Sequence, residues 1–170
     1  MPDVAPHFRF QPCLLDRLRD DEPERKEESS AQRVIPYSRY RDGVMRDLRW
    51  LLNTNALVSG TEDREHLSRY PLVCESVLNF GVRSLSGQSI ASLDRDTLVA
   101  QIEEAVTRFE PRIDPRTLDV KFIRGDSAIH LVGFEISGEL FADPVPQHLV
   151  FKTTLDMETG HIVGDRLDGS

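Results

Sequence analysis

With 170 residues, 39% hydrophobic and 29% charged, the chain can bury a real core as one domain of ordinary size, and no apolar run reaches the length of a membrane span. Its 29 acidic residues against 21 basic ones leave a formal charge of −8, and no basic stripe occurs. That excludes nucleic acid as a partner, because phosphate binding relies on clustered Lys and Arg.

Residues 1 to about 12 are proline-rich and read as disordered. Cys13-Leu14-Leu15-Asp16-Arg17-Leu18 can form a short helix with Leu14, Leu15 and Leu18 on one side, too short to stand alone in water. The charged run over 19–33 reads as a solvated linker. The apolar hexamer has two explanations: it packs back on its own domain, or it docks on another subunit. Residues 1–33 thus form a flexible arm with a short docking helix, and 34–170 form a single domain.

Ser38 can cap a helix running to about Asn53, with Tyr40, Val44, Leu48, Leu51 and Leu52 on one face. Gly43 weakens it locally, and Trp50 on the flank of the stripe is expected at the core edge. Tyr70-Pro71 opens an apolar stretch to Gly81 that fits helix or strand equally, with Asn79 and Gly81 favouring a tight turn at its end. Asp94, with Thr97 three residues on, caps a second amphipathic helix through Leu98, Ile102, Ala105, Val106 and Phe109. Pro111 ends that helix and leaves Glu110 at its C-terminus, where the backbone dipole already concentrates negative charge. Glu110 is therefore either solvated or answered by a cation. Arg108 and Arg112 are the nearest candidates, and an arginine of another chain is the more interesting one.

After Pro111 the period changes from 3.6 to 2. Leu118, Val120 and Phe122 alternate with polar residues, and Gly125-Asp126 turns the chain. Residues 128–141 form a long strand with Val132, Phe134, Ile136 and Leu140 on one face. Leu149, Phe151 and Leu155 line the next strand. Met157-Glu158-Thr159-Gly160 makes a hairpin turn into a short last strand from His161. The fold class is α+β, N-terminal helices packed on a small antiparallel β-sheet meander.

Chemical constellations are sparse. No phosphate-cradling glycine loop and no nucleophile elbow occur. His130, His148 and His161 fall on separate strands and are expected at the surface or half-buried. Cys13 and Cys74 show no metal or redox spacing, which fits a reducing compartment. Residues 1–10 lack the apolar core of a signal peptide, so a soluble cytoplasmic protein is expected. Glu110 and Asp114 could be proposed as the two carboxylates of a glycosidase. The arginines beside Glu110 oppose that, since a general acid needs a raised pKa. No catalytic, cofactor-binding or metal-binding residue is assigned.

Five landmarks in order carry a resemblance: Leu14-Leu15-Asp16-Arg17-Leu18, Asp47-Leu48-Arg49-Trp50-Leu51-Leu52-Asn53-Thr54, Tyr70-Pro71, Ser76-Val77-Leu78-Asn79-Phe80-Gly81 and Phe109-Glu110-Pro111-Arg112-Ile113. Together they resemble the TssE family, the baseplate subunit of the bacterial type VI secretion system, similar to a wedge protein of contractile-tail phage baseplates. Phe80 stands where the family more often has Tyr, and Arg83-Ser84 where Pro-Asp is usual. The resemblance implies a structural role, with other baseplate wedge subunits and contractile sheath subunits as partners and no enzyme activity. It maps the family's Glu-Pro-Arg assembly motif onto Glu110, Pro111 and Arg112. With Leu14, Leu15 and Leu18 these residues make up the expected assembly interface. An edge strand, either 118–124 or 161–166, is expected to accept a strand from the sheath. Members of the family are often labelled lysozyme-like, so the alternative is a peptidoglycan hydrolase using Glu110.

Overall fold

A computed structural model describes residues 10, 12–18, 24, 35–57, 66–67, 69–83, 94–123, 131–142, 145–156, 159 and 161–166. Helices α1 (Leu14–Leu18), α2 (Tyr37–Leu52), α3 (Pro71–Glu75) and α4 (Arg95–Phe109) precede strands β1 (Asp119–Ile123), β2 (Leu131–Leu140), β3 (Gln147–Asp156) and β4 (Ile162–Arg166). The strands pair antiparallel in the order β1-β2-β3-β4, so the architecture is the α+β meander that the change of period announces.

Alternation decides which sheet face is covered. Val132, Phe134, Ile136 and Leu140 on β2 are buried, as are Leu149, Phe151 and Leu155 on β3. Register brings Ile136 opposite Phe151 and Val132 opposite Leu155, which is how cross-strand pairs stabilise a sheet. Thr153 completes the β3 row opposite Phe134 and is buried as well. Over this face lie the stripe of α2 (Tyr40, Val44, Leu48, Leu51, Leu52) and that of α4 (Leu98, Ile102, Ala105, Val106), all in one apolar cluster. Each large side chain removed from water there contributes about 1.5–3 kcal/mol.

Local chemistry sets the helix ends. Asp94 accepts a hydrogen bond from the Asp96 N–H at 3.3 Å, and the Thr97 hydroxyl also donates to it. The start of α2 departs from expectation. Pro36, not Ser38, is the N-cap, and no side chain caps the helix. A tertiary contact fixes the entry instead: the Ile35 N–H donates to the Phe10 carbonyl at 3.1 Å, and the Phe10 ring stacks on Tyr40 at 4.9 Å. Phe10 is 3% exposed. A disordered reading does not hold for this residue, because a phenylalanine that finds two tyrosines (Tyr37 at 5.6 Å and Tyr40) gains more from burial than ordering costs.

The stretch 70–81 is helical: α3, with Pro71 in its first turn, then a 3₁₀ turn over Val77–Asn79. The Ser76 hydroxyl accepts from the Leu78 N–H, and Asn79 Nδ2 donates to the Cys74 carbonyl at 2.8 Å. Gly81 closes the turn at φ 127°, where a Cβ would meet the Thr54 carbonyl oxygen at 2.3 Å. Only glycine fits. Trp50 is not a core-edge residue. It is half exposed, with the Arg46 guanidinium 5.1 Å above its ring. His130, the loop Ser84-Leu85-Ser86-Gly87, the Gly125-Asp126 turn, and Met157, Glu158 and Gly160 of the last hairpin lie outside the described residues. The Asp156 N–H donates to the His161 carbonyl at 2.9 Å across the base of that hairpin.

Candidate functional site

Glu110 is the C-cap of α4, its N–H still bonded to the Val106 carbonyl at 2.9 Å. The turn through Pro111 then sends the chain to the end of β2, where the Phe141 N–H donates to the Arg112 carbonyl at 2.8 Å and Ile113 bridges to Leu140. That doubling back folds the Arg112 side chain over Glu110. Arg112 Nε donates to Glu110 Oε1 at 2.6 Å, the Arg112 N–H reaches the same oxygen at 3.2 Å, and Nη2 binds Oε2. Glu110 is 3% exposed, so it is not solvated, and its cation lies in its own chain. Arg108 does not share the task; it bonds Glu104 and the Cys74 carbonyl, each at 3.1 Å.

The pair continues into a relay of alternating charge. Arg112 Nη2 also donates to Asp47 Oδ2 on α2 at 2.6 Å. Arg46 grips the other Asp47 oxygen through Nε at 2.9 Å and Nη2 at 2.8 Å, and its Nη1 binds Asp16 on α1. The Cys13 thiol donates to the second Asp16 oxygen at 3.0 Å. Taking a lone carboxylate out of water costs several kcal/mol, and a planar guanidinium fork is the group best suited to offset it. The protonation equilibria follow. Burial alone would lower the Arg112 pKa, yet hydrogen bonds and charge from Glu110 and Asp47 leave it above the ordinary value. The hydrogen bond from Arg46, helped by the Cys13 thiol, holds Asp16 below the usual carboxylate range.

The same device occurs again a few residues on, as Asp114-Pro115-Arg116. Asp114 is 8% exposed and accepts from the Arg116 N–H at 3.0 Å, Nε at 3.0 Å and Nη2 at 2.7 Å, and Arg116 holds its pKa below the usual range. The repeated acid-Pro-Arg spelling was a signal open to the sequence that the periodicity argument passed over. Asp47, Arg46 and Asp16 had no such signal. Both candidate carboxylates of a hydrolase are thus engaged by arginines of their own chain, and the lowered pKa of Asp114 is the opposite of what a general acid needs. An open groove of about 420 Å³ between α3 and α4 is lined by Glu75, Glu104 and Arg108, and Glu110 is not among its lining residues. Among the described residues no group of His, Cys, Asp and Glu could hold a metal ion. His148 and His161 are exposed and stand apart.

Leu14, Leu15 and Leu18 are 70%, 52% and 74% exposed, and α1 buries no residue. The short helix does lie against its own domain, but through Asp16 rather than the leucines. The sheet leaves β1 and β4 at its edges, the strands expected there.

Fold and site define a small α+β scaffold that uses its buried carboxylates to brace its own turns. A family model described as baseplate wedge protein gp25 matches residues 38–145, from the first turn of α2 to the connection before β3. The chain belongs to this family of structural baseplate proteins. Comparison with curated proteins and with solved structures gave no match. No helix among the described residues is long and apolar enough to cross a membrane.

Proposed function

We propose that this protein is a TssE-type subunit of a type VI secretion baseplate, which joins other wedge subunits and receives the first ring of the contractile sheath. The family match, spanning the Glu110-Pro111-Arg112 turn, is the observation that carries this reading. The role requires no catalysis, cofactor or membrane insertion, and places the protein at the cytoplasmic face of the inner membrane. Residues 34–170, with Phe10 anchored in their core, act as the wedge domain, and the remainder of 1–33 acts as an arm whose Leu14, Leu15 and Leu18 dock on a neighbouring subunit. Glu110, through its grip on Arg112, shapes the turn that the wedge presents.

A sheet edge is the natural seat for a sheath strand, because its unpaired backbone groups give affinity without side-chain specificity. The β3–β4 register pairs Leu155 with Ile162 and Thr153 with Asp165, and is irregular between them. Val163 lies in that irregular stretch, outside the registered pairs. Val163→Pro is expected to block sheath elongation in cells while the purified variant melts close to wild type. Normal elongation would remove β4 as the sheath edge, and the equivalent proline in β1 would then decide whether either edge is used. Muramidase activity in the purified protein, lost in Glu110→Gln, would favour the hydrolase instead.

A further inference from the structure

The apolar residues of α1 all face outward, and what holds this five-residue helix is polar: Asp16, clasped by Arg46, with the Cys13 thiol on the same carboxylate and Arg46 Nη2 3.8 Å from the Cys13 sulfur. The clasp is also close. A Cβ at position 43 would stand in ordinary contact with Asp16 Oδ2, at 3.4 Å, so the Asp16 carboxylate lies directly over the α2 backbone there. Arg46 in turn is held by Asp47, Asp47 by Arg112, and Arg112 by the buried Glu110.

We propose that α1 is a charge-held latch whose closure is set by the Glu-Pro-Arg turn, through the relay Glu110–Arg112–Asp47–Arg46–Asp16. With Glu110 in place, Arg112 is fixed where it meets Asp47, and Asp47 fixes the Arg46 fork that clasps α1. Without it, Arg112 and Asp47 are free to pair in other geometries, Arg46 loses its orientation, and the Asp16 side of α1 is no longer held against α2. This concerns the isolated chain, so it stands or falls separately from the identity of any partner of the leucines.

Cys13 reports the latch and Cys74 the rest of the fold, both being free thiols of intermediate exposure. The intact protein is pulsed with a maleimide and the modification of each cysteine is followed by mass spectrometry. Arg46→Ala is expected to speed Cys13 labelling roughly tenfold, the order set by loss of a hydrogen bond between charged groups. Glu110→Gln and Asp47→Asn are expected to speed it severalfold while Cys74 holds its rate. Lys152→Met, which removes an ion pair with Glu135 on the sheet, should change neither rate. If Arg46→Ala acts on Cys13 but Glu110→Gln and Asp47→Asn do not, the relay is refuted. If Glu110→Gln accelerates both thiols equally, the variant is opening globally and Asp47→Asn decides: selective Cys13 labelling upholds the relay, and equal or unchanged labelling overturns it.

Discussion

Replacing Glu110 by Gln keeps the shape and removes one charge, and the structure fixes what that costs. The amide oxygen can still accept from the Arg112 N–H and Nε, now at 3.2 and 2.6 Å. The amide nitrogen then points two hydrogens at Arg112 Nη2, a donor facing a donor, in a site only 3% exposed at Glu110. Breaking a fully buried pair costs about 3–5 kcal/mol, but Arg112 is partly exposed and keeps Asp47 at 2.6 Å, which lowers the expected loss to about 2–3 kcal/mol. For a chain of this length each kcal/mol moves the melting temperature by about 2–4 °C, so a fall of roughly 5–10 °C is expected. Circular dichroism melts of the purified variant measure it, with Arg108→Ala as a surface comparison costing under about 1 kcal/mol. A Glu110→Gln melt within about 2 °C of wild type would refute the claim that this carboxylate braces the domain from within.

Phe10→Ala should cost about 3–5 kcal/mol in denaturant titrations, the usual loss for an aromatic removed from a core, whereas a residue in a disordered arm would cost nothing. Gly81→Ala should lose at least about 2 kcal/mol, since the new methyl meets the Thr54 carbonyl at positive φ; an unchanged melt would count against that turn. Asp16, Asp94 and Asp114 all have pKa values held below the ordinary 3.8. Each therefore stabilises the fold above that pH and loses its contribution as the pH falls below it. Stability measured by denaturant should accordingly be level near neutrality and decline below about pH 4; a decline beginning near pH 6 would point to other groups.

The parts of this fold legible in the sequence are those written as long periodic patterns. The stripes of α2 and α4 and the inward rows of β2 and β3 match the buried residues, because a continuous core admits few other arrangements. Short-range grammar served less well where tertiary contacts decide. The stretch 70–81 is too short for its period to separate helix from strand, and Leu72, Val77 and Leu78 end up 79%, 80% and 68% exposed. Phe10 lies in a proline-rich run, and its partners Tyr37 and Tyr40 come from another element. Glu110 is the instructive case. Its helix-end position left it either solvated or answered by a cation, and the backbone turn at Pro111 brings Arg112 back to it within the same chain. The next charge, Asp47, lies 65 residues away, and nothing in local spacing marks it. The arm helix was open between packing home and docking away, and it packs home by its polar side with its leucines outward.

The proposed baseplate role is tested most directly by a cryo-EM map of the assembled baseplate with its first sheath ring. The account predicts a sheath strand lying alongside β4 or β1, joined by backbone hydrogen bonds, with Glu110 still clasped by Arg112 of its own chain. Both sheet edges free of any sheath strand, with the sheath seated elsewhere on the wedge, would contradict it.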